Sequence, residues 1–554
     1  MLKRIFIFIF MYFLILVNCS RDSGLHKSEI PAVGTKGMVS TAHPIATEAG
    51  LKILKAGGNA FDAAVAIATT LNVVEPMMSG IGGYGTILVY DSGNDKIRYL
   101  DSSGKIPMKV NSDVFRAPTP NYLENRRGIK AISTPGNVNA WESMSKEYGK
   151  LIWADLFETA IETAENGFKI NARLAKMIKE AYPSFPVYAQ EFYGKNGRPF
   201  KKGNILIQKD LAKSMRLIAE KGSKVFYGGK LGRLIHNEMH REEGFLAIGD
   251  LIADKAEWWD PVKINYKGYI VYTASPPSTA FSSLIRLGMM SRFDFRDEEH
   301  NSTGYLHIFS EVTKHAFWCR LNYAGDPEIS PPPLDTLLSE DYWIQEINKI
   351  NREKASAFVY PGIITLEGEN TTHFVVADQW GNIVCATQTL GNAFGSRIMP
   401  AGTGIWLNNS LAYCTFEPKG NPMDAHPGQR KLSGDCPTII FKNGKPYAAL
   451  GTPGGHTIGQ TVPQMVMNLI DFKMNIQAAI SAPRVSFVEP DYLYIEHEIP
   501  GLVLAELKSM GHQIKRTKGL GNAHGLSLKY DDNGRFIQFE GGADPREEGL
   551  AKGF

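Results

Sequence analysis

The chain has 554 residues, 43% hydrophobic and 21% charged, with a formal net charge of +3. That is ordinary globular composition with room for a large core. A near-neutral balance without a long run of one sign leaves no electrostatic footprint for nucleic acid or for an anionic membrane surface.

The first residues read as an export leader. Lys3 and Arg4 precede the apolar run Ile5–Val17, which is short for a bilayer span but suits the core of a signal peptide. The run closes on Leu16-Val17-Asn18-Cys19. This resembles a bacterial lipoprotein cleavage box, with Asn18 where a small residue is usual. Residues 1–19 are therefore expected to be a signal peptide, either a lipoprotein signal that leaves a lipid on Cys19 or a plain secretory one. Either form predicts export from a bacterial cell, with the product periplasmic or lipid-anchored to the envelope. Residues 20–36 read as a polar tether. Cys319, Cys385, Cys414 and Cys436 contain no C-x-x-C pair, so metal-knuckle and thioredoxin readings fail and buried thiols are expected.

Ile45, Ala49 and Ile53 recur at helical spacing, and Gly57-Gly58 stops that helix. Asn59 can cap a second helix with Asp62 three residues on, and Pro76 ends it. Gly80–Gly85 matches G-x-G-x-x-G, but a helix precedes it and the strand-like Thr86–Tyr90 follows. That is the inverse of a dinucleotide site. Residues 138–350 carry mostly helical spacings. His236 and His240, four apart, lack the glutamate and third ligand of a zinc site and read as solvent-facing. Trp258-Trp259 reads as packing. From 371 the texture turns to strands. Phe374–Val376 and Ile383–Ala386 form a predicted hairpin around Asp378–Asn382. Further strands fit 438–442, 447–451 and 526–530, with a helix over 457–471. A helical first half and a strand-rich end imply stacked α/β layers.

Thr371 opens the first of these strands, where a threonine by itself is only a good strand former. Its context is more specific. In order along the chain stand Gly37–Val39, Ala56–Ala60, Asp62–Ala66, Val74–Pro76, Ser79–Gly83, Pro276–Ser278, Gly325–Pro327, Thr371–His373, Gly402–Ile405, Leu407–Asn409, Gly451–Gly455, Ala482–Arg484 and Asp544–Arg546. With these stretches the chain resembles the gamma-glutamyltranspeptidases over nearly all of 37–554.

The resemblance implies a four-layer αββα N-terminal-nucleophile hydrolase that cuts itself between Asn370 and Thr371. The products would be a large subunit (37–370) and a small catalytic subunit (371–554), held together as a heterodimer. The chemistry explains the cut. A threonine hydroxyl is a poor nucleophile without a base, and cleavage frees the α-amine of Thr371, whose reference pKa of about 7.7–8.0 suits that task. By the same resemblance Gly454 and Gly455 supply the oxyanion hole. Thr389 hydrogen-bonds near the nucleophile, with Thr387 on the same strand face, while His373 serves the strand. The implied substrate is a gamma-glutamyl compound such as glutathione, with water or an amino acid or peptide as acceptor. No metal or organic cofactor is called for.

The departures fall on substrate recognition. Ser103 stands where the family places the arginine that holds the glutamyl carboxylate, and Lys105 two residues on is expected to supply the charge if the strand is regular. Thr389-Leu390-Gly391 replaces Thr-Leu-Asn, with Asn392 one residue late. Ser410 and Tyr413 take the places of the groups that bind the substrate amine. Ser433-Gly434 replaces paired serines, leaving Ser433 as a carboxylate contact. An amidase or acylase with glutaryl-type or polyglutamate specificity is therefore the enzymatic alternative. An inactive exported binding protein on the same scaffold is the non-enzymatic one.

Overall fold

The computed structural model describes residues 29–295, 298–358, 370–487 and 492–554. The leader expected at 1–19 lies outside them. Among the described residues no helix is long and apolar enough to cross a membrane.

Six strands build the heart of the molecule: β1 (Gly37–Thr41), β2 (Tyr84–Asp91), β3 (Asn370–Asp378), β4 (Ile383–Gly391), β5 (Lys445–Gly451) and β6 (Leu550–Gly553). One seven-stranded antiparallel sheet runs β6-β1-β3-β4-β2, followed by Lys96–Ser102 and Glu257–Trp259. A second seven-stranded sheet runs Ala32–Gly34, Phe536–Ala543, His524–Tyr530, β5, Thr438–Lys442, Tyr269–Thr273 and Val262–Tyr266. The two stack face to face over Leu88, Val375, Cys385, Ile439, Ala449 and Leu526.

Helices cover both outer faces. On the first sheet lie α1 (Pro44–Lys55) and α2 (Ala60–Val74). Asn59 accepts from the Phe61 and Asp62 N–H groups while Asp62 takes the Asn59 N–H, completing the predicted capping box. Every residue of α2 is buried, and its alanines let it pass close to the sheet. On the second sheet lie α3 (Phe281–Met290), α4 (Thr303–Tyr323) and α5 (Ile458–Ile470). With helices outside and a facing sheet inside, both sides of β3 and β4 are covered. Phe374–Ala377 and Ile383–Ala386 are accordingly apolar runs without polar alternation. The layering is the αββα sandwich expected from the sequence.

The predicted hairpin is present, with β3 pairing β4 from Asn370↔Gly391 to Ala377↔Ile383. Cys319, Cys385, Cys414 and Cys436 are buried free thiols. Ala32–Gly34, expected to belong to the tether, instead pairs with Gly541–Phe539 at the edge of the second sheet. An edge strand needs only one paired side, so a short run with little apolar surface suffices there.

Candidate active site

The site grows from one irregularity in the β3–β4 ladder. Asn370 pairs with Gly391 but Thr371 pairs with Thr389, so Leu390 has no partner across the strands. Such a bulge bends the strand and re-aims its side chains. Gly391 carries the bend at φ +97°, and a side chain there would strike Asn409 Oδ1.

Three groups meet at this bulge. The Thr371 hydroxyl donates to Thr389 Oγ1 at 3.2 Å. Thr389 Oγ1 donates to the Asn370 carbonyl at 2.6 Å and accepts the Gly391 N–H at 2.8 Å. A hydroxyl has one proton to give and two lone pairs to fill, so the Thr389 group is fully used. The arrangement polarises the carbonyl of the 370–371 peptide bond and draws on the hydroxyl proton of the next residue. Thr371 is 1% exposed.

Alternation along β3 fixes the surroundings. Thr372 points to the helical side and donates to Glu75 at 2.8 Å. Glu75 is buried at the end of α2, where burial raises its pKa against the pull of Arg173. Thr371 and His373 point inward, between the sheets. His373 Nδ1 shares a hydrogen bond of 2.8 Å with Thr387 Oγ1, and burial pushes its pKa well below 6.5. It is a neutral strut. Its ring lies against Gly451 at the end of β5, where a Cβ would run into it.

That contact brings the turn after β5 beside Thr371. Gly454 and Gly455 have φ of +138° and +58°, values open to glycine. They stand at the start of the turn that leads into α5. Their N–H groups therefore sit at the positive end of a helix dipole, an environment suited to an oxyanion. A cavity of about 690 Å³ adjoins the 370–371 peptide bond, with Asn370, Pro453, Gly454, Arg173 and Lys518 in its wall.

The residues expected to recognise substrate divide into two groups. Ser103, Ser433 and Tyr413 are buried and Asn392 half-buried, and none of the four lines the cavity beside Asn370. Ser103 donates to Asp101 from both its N–H and its hydroxyl. Ser433 Oγ accepts the Asp435 N–H, and its carbonyl accepts from Thr279. Tyr413 packs edge-on to Tyr84, and Asn392 N–H donates to Asn409.

Lys105 departs from its expectation. Its side chain is exposed and lines a separate cavity with Asp254, Glu257 and Arg430. The strand ends at Ser102, and Gly104 turns the backbone at φ +71°. The alternation that would have pointed Lys105 inward is thereby lost.

Two buried residues near Thr371's strand escaped the sequence reading. Glu75 reads as part of a shared stretch with no stated task. Lys431 reads as one lysine among many, yet it is completely buried against Tyr84.

The glycine motif at 80–85 is architectural. Side chains at Gly82 and Gly83 would strike the Trp406 and Thr389 carbonyls, so these glycines let the loop lie on β4. Trp258 and Trp259 pack against Arg98 and Arg430. His236 accepts the Ile248 N–H through Nδ1. Among the described residues His307, Glu311 and His512 form the one cluster with metal-ligand spacing. These groups already satisfy one another and their neighbours. His307 and His512 share a hydrogen bond of 2.8 Å, and Glu311 accepts from Lys314.

Comparison with known proteins agrees with this geometry. The family model described as gamma-glutamyltranspeptidase matches residues 46–554. The glutathione hydrolase proenzyme of Bacillus subtilis (strain 168) is 34% identical, covering 94% of this chain and 92% of that protein. The acylase ACY 1 proenzyme of Pseudomonas sp. (strain V22) is 34% identical over 88% of each. The crystal structure of cephalosporin acylase from Bacillus halodurans superposes with a TM-score of 0.85 at 30% identity, covering 95% of this chain and 97% of that one. The bulged strand that carries Thr371, the glycine turn beside it and these likenesses across nearly the whole length place this chain in the gamma-glutamyltranspeptidase family.

Proposed function

We propose that this chain is a self-processing gamma-glutamyltransferase or glutathione-hydrolase-like enzyme that works through a Thr371 acyl-enzyme. The observation that carries the reading is the relay Thr371 Oγ1–Thr389 Oγ1–Asn370 O at the β3–β4 bulge.

In the first reaction Thr371 Oγ1 bonds to the Asn370 carbonyl carbon and the hydroxyl proton passes to the Thr371 nitrogen. The C–N bond then breaks to leave an ester. Water hydrolyses the ester, giving a carboxylate on Asn370 and a free α-amine and hydroxyl on Thr371. The products are a large subunit ending at 370 and a small one starting at 371.

In the second reaction the amine takes the Thr371 hydroxyl proton as the oxygen attacks a substrate amide. The proton goes on to the departing amine, and water or an amine acceptor takes the acyl group from the oxygen. The N–H groups of Gly454 and Gly455 hold the oxyanion in both halves. Thr389 aligns the nucleophile.

The test is the mass of the purified chains and the first residue of the smaller one. Two chains, the smaller starting at Thr371, together with one intact chain from Thr371→Ala, are expected. A different start, or a single uncut chain from active protein, overturns the reading. An uncut wild-type chain without activity favours a binding protein on this scaffold.

An acylase for another side-chain amide is the second reading. It is favoured by Ser103, Ser410 and Tyr413, which present no charge for a free α-amino acid, and by the likeness to the two acylases. Parallel assays on glutathione, glutaryl amides and polyglutamate separate the two. We further propose export through the leader at 1–19, and the N-terminal mass of the large subunit from native cells tests this.

A further inference from the structure

The cavity that Lys105 lines has a volume of about 230 Å³ and shares no wall residue with the one beside Asn370. It lies at the edge of the first sheet, where Glu257 stands directly across from Asp101. Like charges so placed repel, and Arg430 pairs with both. Arg430 is also held by Asp326 and Glu328, so one guanidinium serves four carboxylates. Asp254 stands in the same wall, outside that network, and is 9% exposed. One of its oxygens accepts from the Asn139 side chain at 2.8 Å. Among the described residues nothing donates to the other.

The wall is therefore short of a cation at depth. Burial, with Asp101 and Glu257 nearby, raises the Asp254 pKa to about 7. A buried carboxylate in this state is costly, and a cation brought against it recovers part of the cost. Toward solvent the sign reverses. Lys105 and Lys255 are exposed in the same wall and form no ion pair among the described residues.

We propose that this cavity binds a small free α-amino acid, with its ammonium on Asp254 and its carboxylate on Lys105 and Lys255. An inner carboxylate and outer ammonium groups match the two ends of a zwitterion, each through a charge-assisted hydrogen bond. A divalent metal ion asks for about six oxygen ligands. Asp254 has one oxygen to give, and the neighbouring carboxylates are committed to Arg430. The remaining wall, Gly104 and Ala253, offers no apolar pocket for a large side chain, so the ligand is of glycine, alanine or serine size. The site stands whether or not Thr371 forms an acyl-enzyme.

The experiment titrates L-alanine, ethylamine, propionate and Mg²⁺ into the purified protein by calorimetry. Wild type, Asp254→Asn, Lys105→Met and Thr371→Ala are compared. L-alanine is expected to bind wild type and Thr371→Ala equally, ethylamine more weakly, and propionate and Mg²⁺ not at all. Asp254→Asn is expected to weaken L-alanine by about tenfold or more. Lys105→Met brings L-alanine toward the ethylamine level. No L-alanine binding to wild type, propionate binding as well as L-alanine, or Mg²⁺ binding in its place overturns the proposal. So does an L-alanine affinity that either site variant leaves unchanged. Loss of L-alanine binding in Thr371→Ala moves the ligand to the cleavage site and overturns it as well. If Asp254→Asn fails to fold, Lys105→Met decides, because its side chain is exposed.

Discussion

Replacing Thr389 by valine keeps the side-chain shape and deletes one hydroxyl that does three things. It donates to the Asn370 carbonyl at 2.6 Å, accepts from Thr371 at 3.2 Å and accepts the Gly391 N–H at 2.8 Å. In self-cleavage negative charge builds on that carbonyl oxygen. Removing one donor from such an oxygen costs about 3–4 kcal/mol in the barrier, a slowing of about 100- to 1000-fold. The orphaned Gly391 N–H adds a separate stability cost of about 1–3 kcal/mol. The assay isolates full-length chain early after expression and follows its conversion by intact mass and denaturing gel over hours to days. Thr389→Ser restores the hydroxyl and is expected within about tenfold of wild type. A valine variant that cuts at the wild-type rate, or a serine variant no faster than valine, refutes the argument.

Thr371→Ser is expected to cut itself while Thr371→Ala stays whole, and an alanine variant that splits at 370–371 removes the proposed nucleophile. Another prediction concerns acid. Burial holds the His43 pKa at about 4 against its ordinary 6.5. The unfolded chain therefore takes up this proton first as pH falls. The contribution is full above about pH 6.5 and declines toward pH 4, with a slope up to about 1.4 kcal/mol per pH unit. His43→Asn keeps an acceptor for the Ile45 N–H and removes the proton, so the denaturation free energy flattens in this window; an unchanged slope contradicts the assignment. Gly451→Ala drives a methyl group into the His373 ring. It is expected to cost about 1–3 kcal/mol, lowering Tm and slowing self-cleavage together; an unaltered Tm refutes the packing argument.

What could be read from the sequence was local or already patterned. The hairpin around Asp378–Asn382, the Asn59 capping box and the glycine pair before α5 each announce themselves within a few residues. Thr371 stood out through the resemblance of its whole context. Lys105 was misplaced because its orientation depends on where a strand stops. One glycine at positive φ after Ser102 reverses the face. Lys431 was invisible for a different reason. A lysine reads as surface by default, and the groups that enclose it include Tyr84, which lies hundreds of residues away in the chain and meets it only after both sheets have assembled. The pairing of Ala32–Gly34 with the far end of the chain is of the same long-range kind.

The interleaving of strands has a consequence for what a break at 370–371 does. In the first sheet β1, from the N-terminal piece, is clasped between β3 and β6, both from the C-terminal piece. In the second sheet four C-terminal strands lie between flanking N-terminal ones. A severed backbone therefore leaves every ladder closed, and the pieces cannot drift apart without melting both layers. Reassembly after melting becomes a meeting of two molecules where it had been the folding of one. Scission thus turns a reversible fold into one whose persistence depends on how rarely it opens.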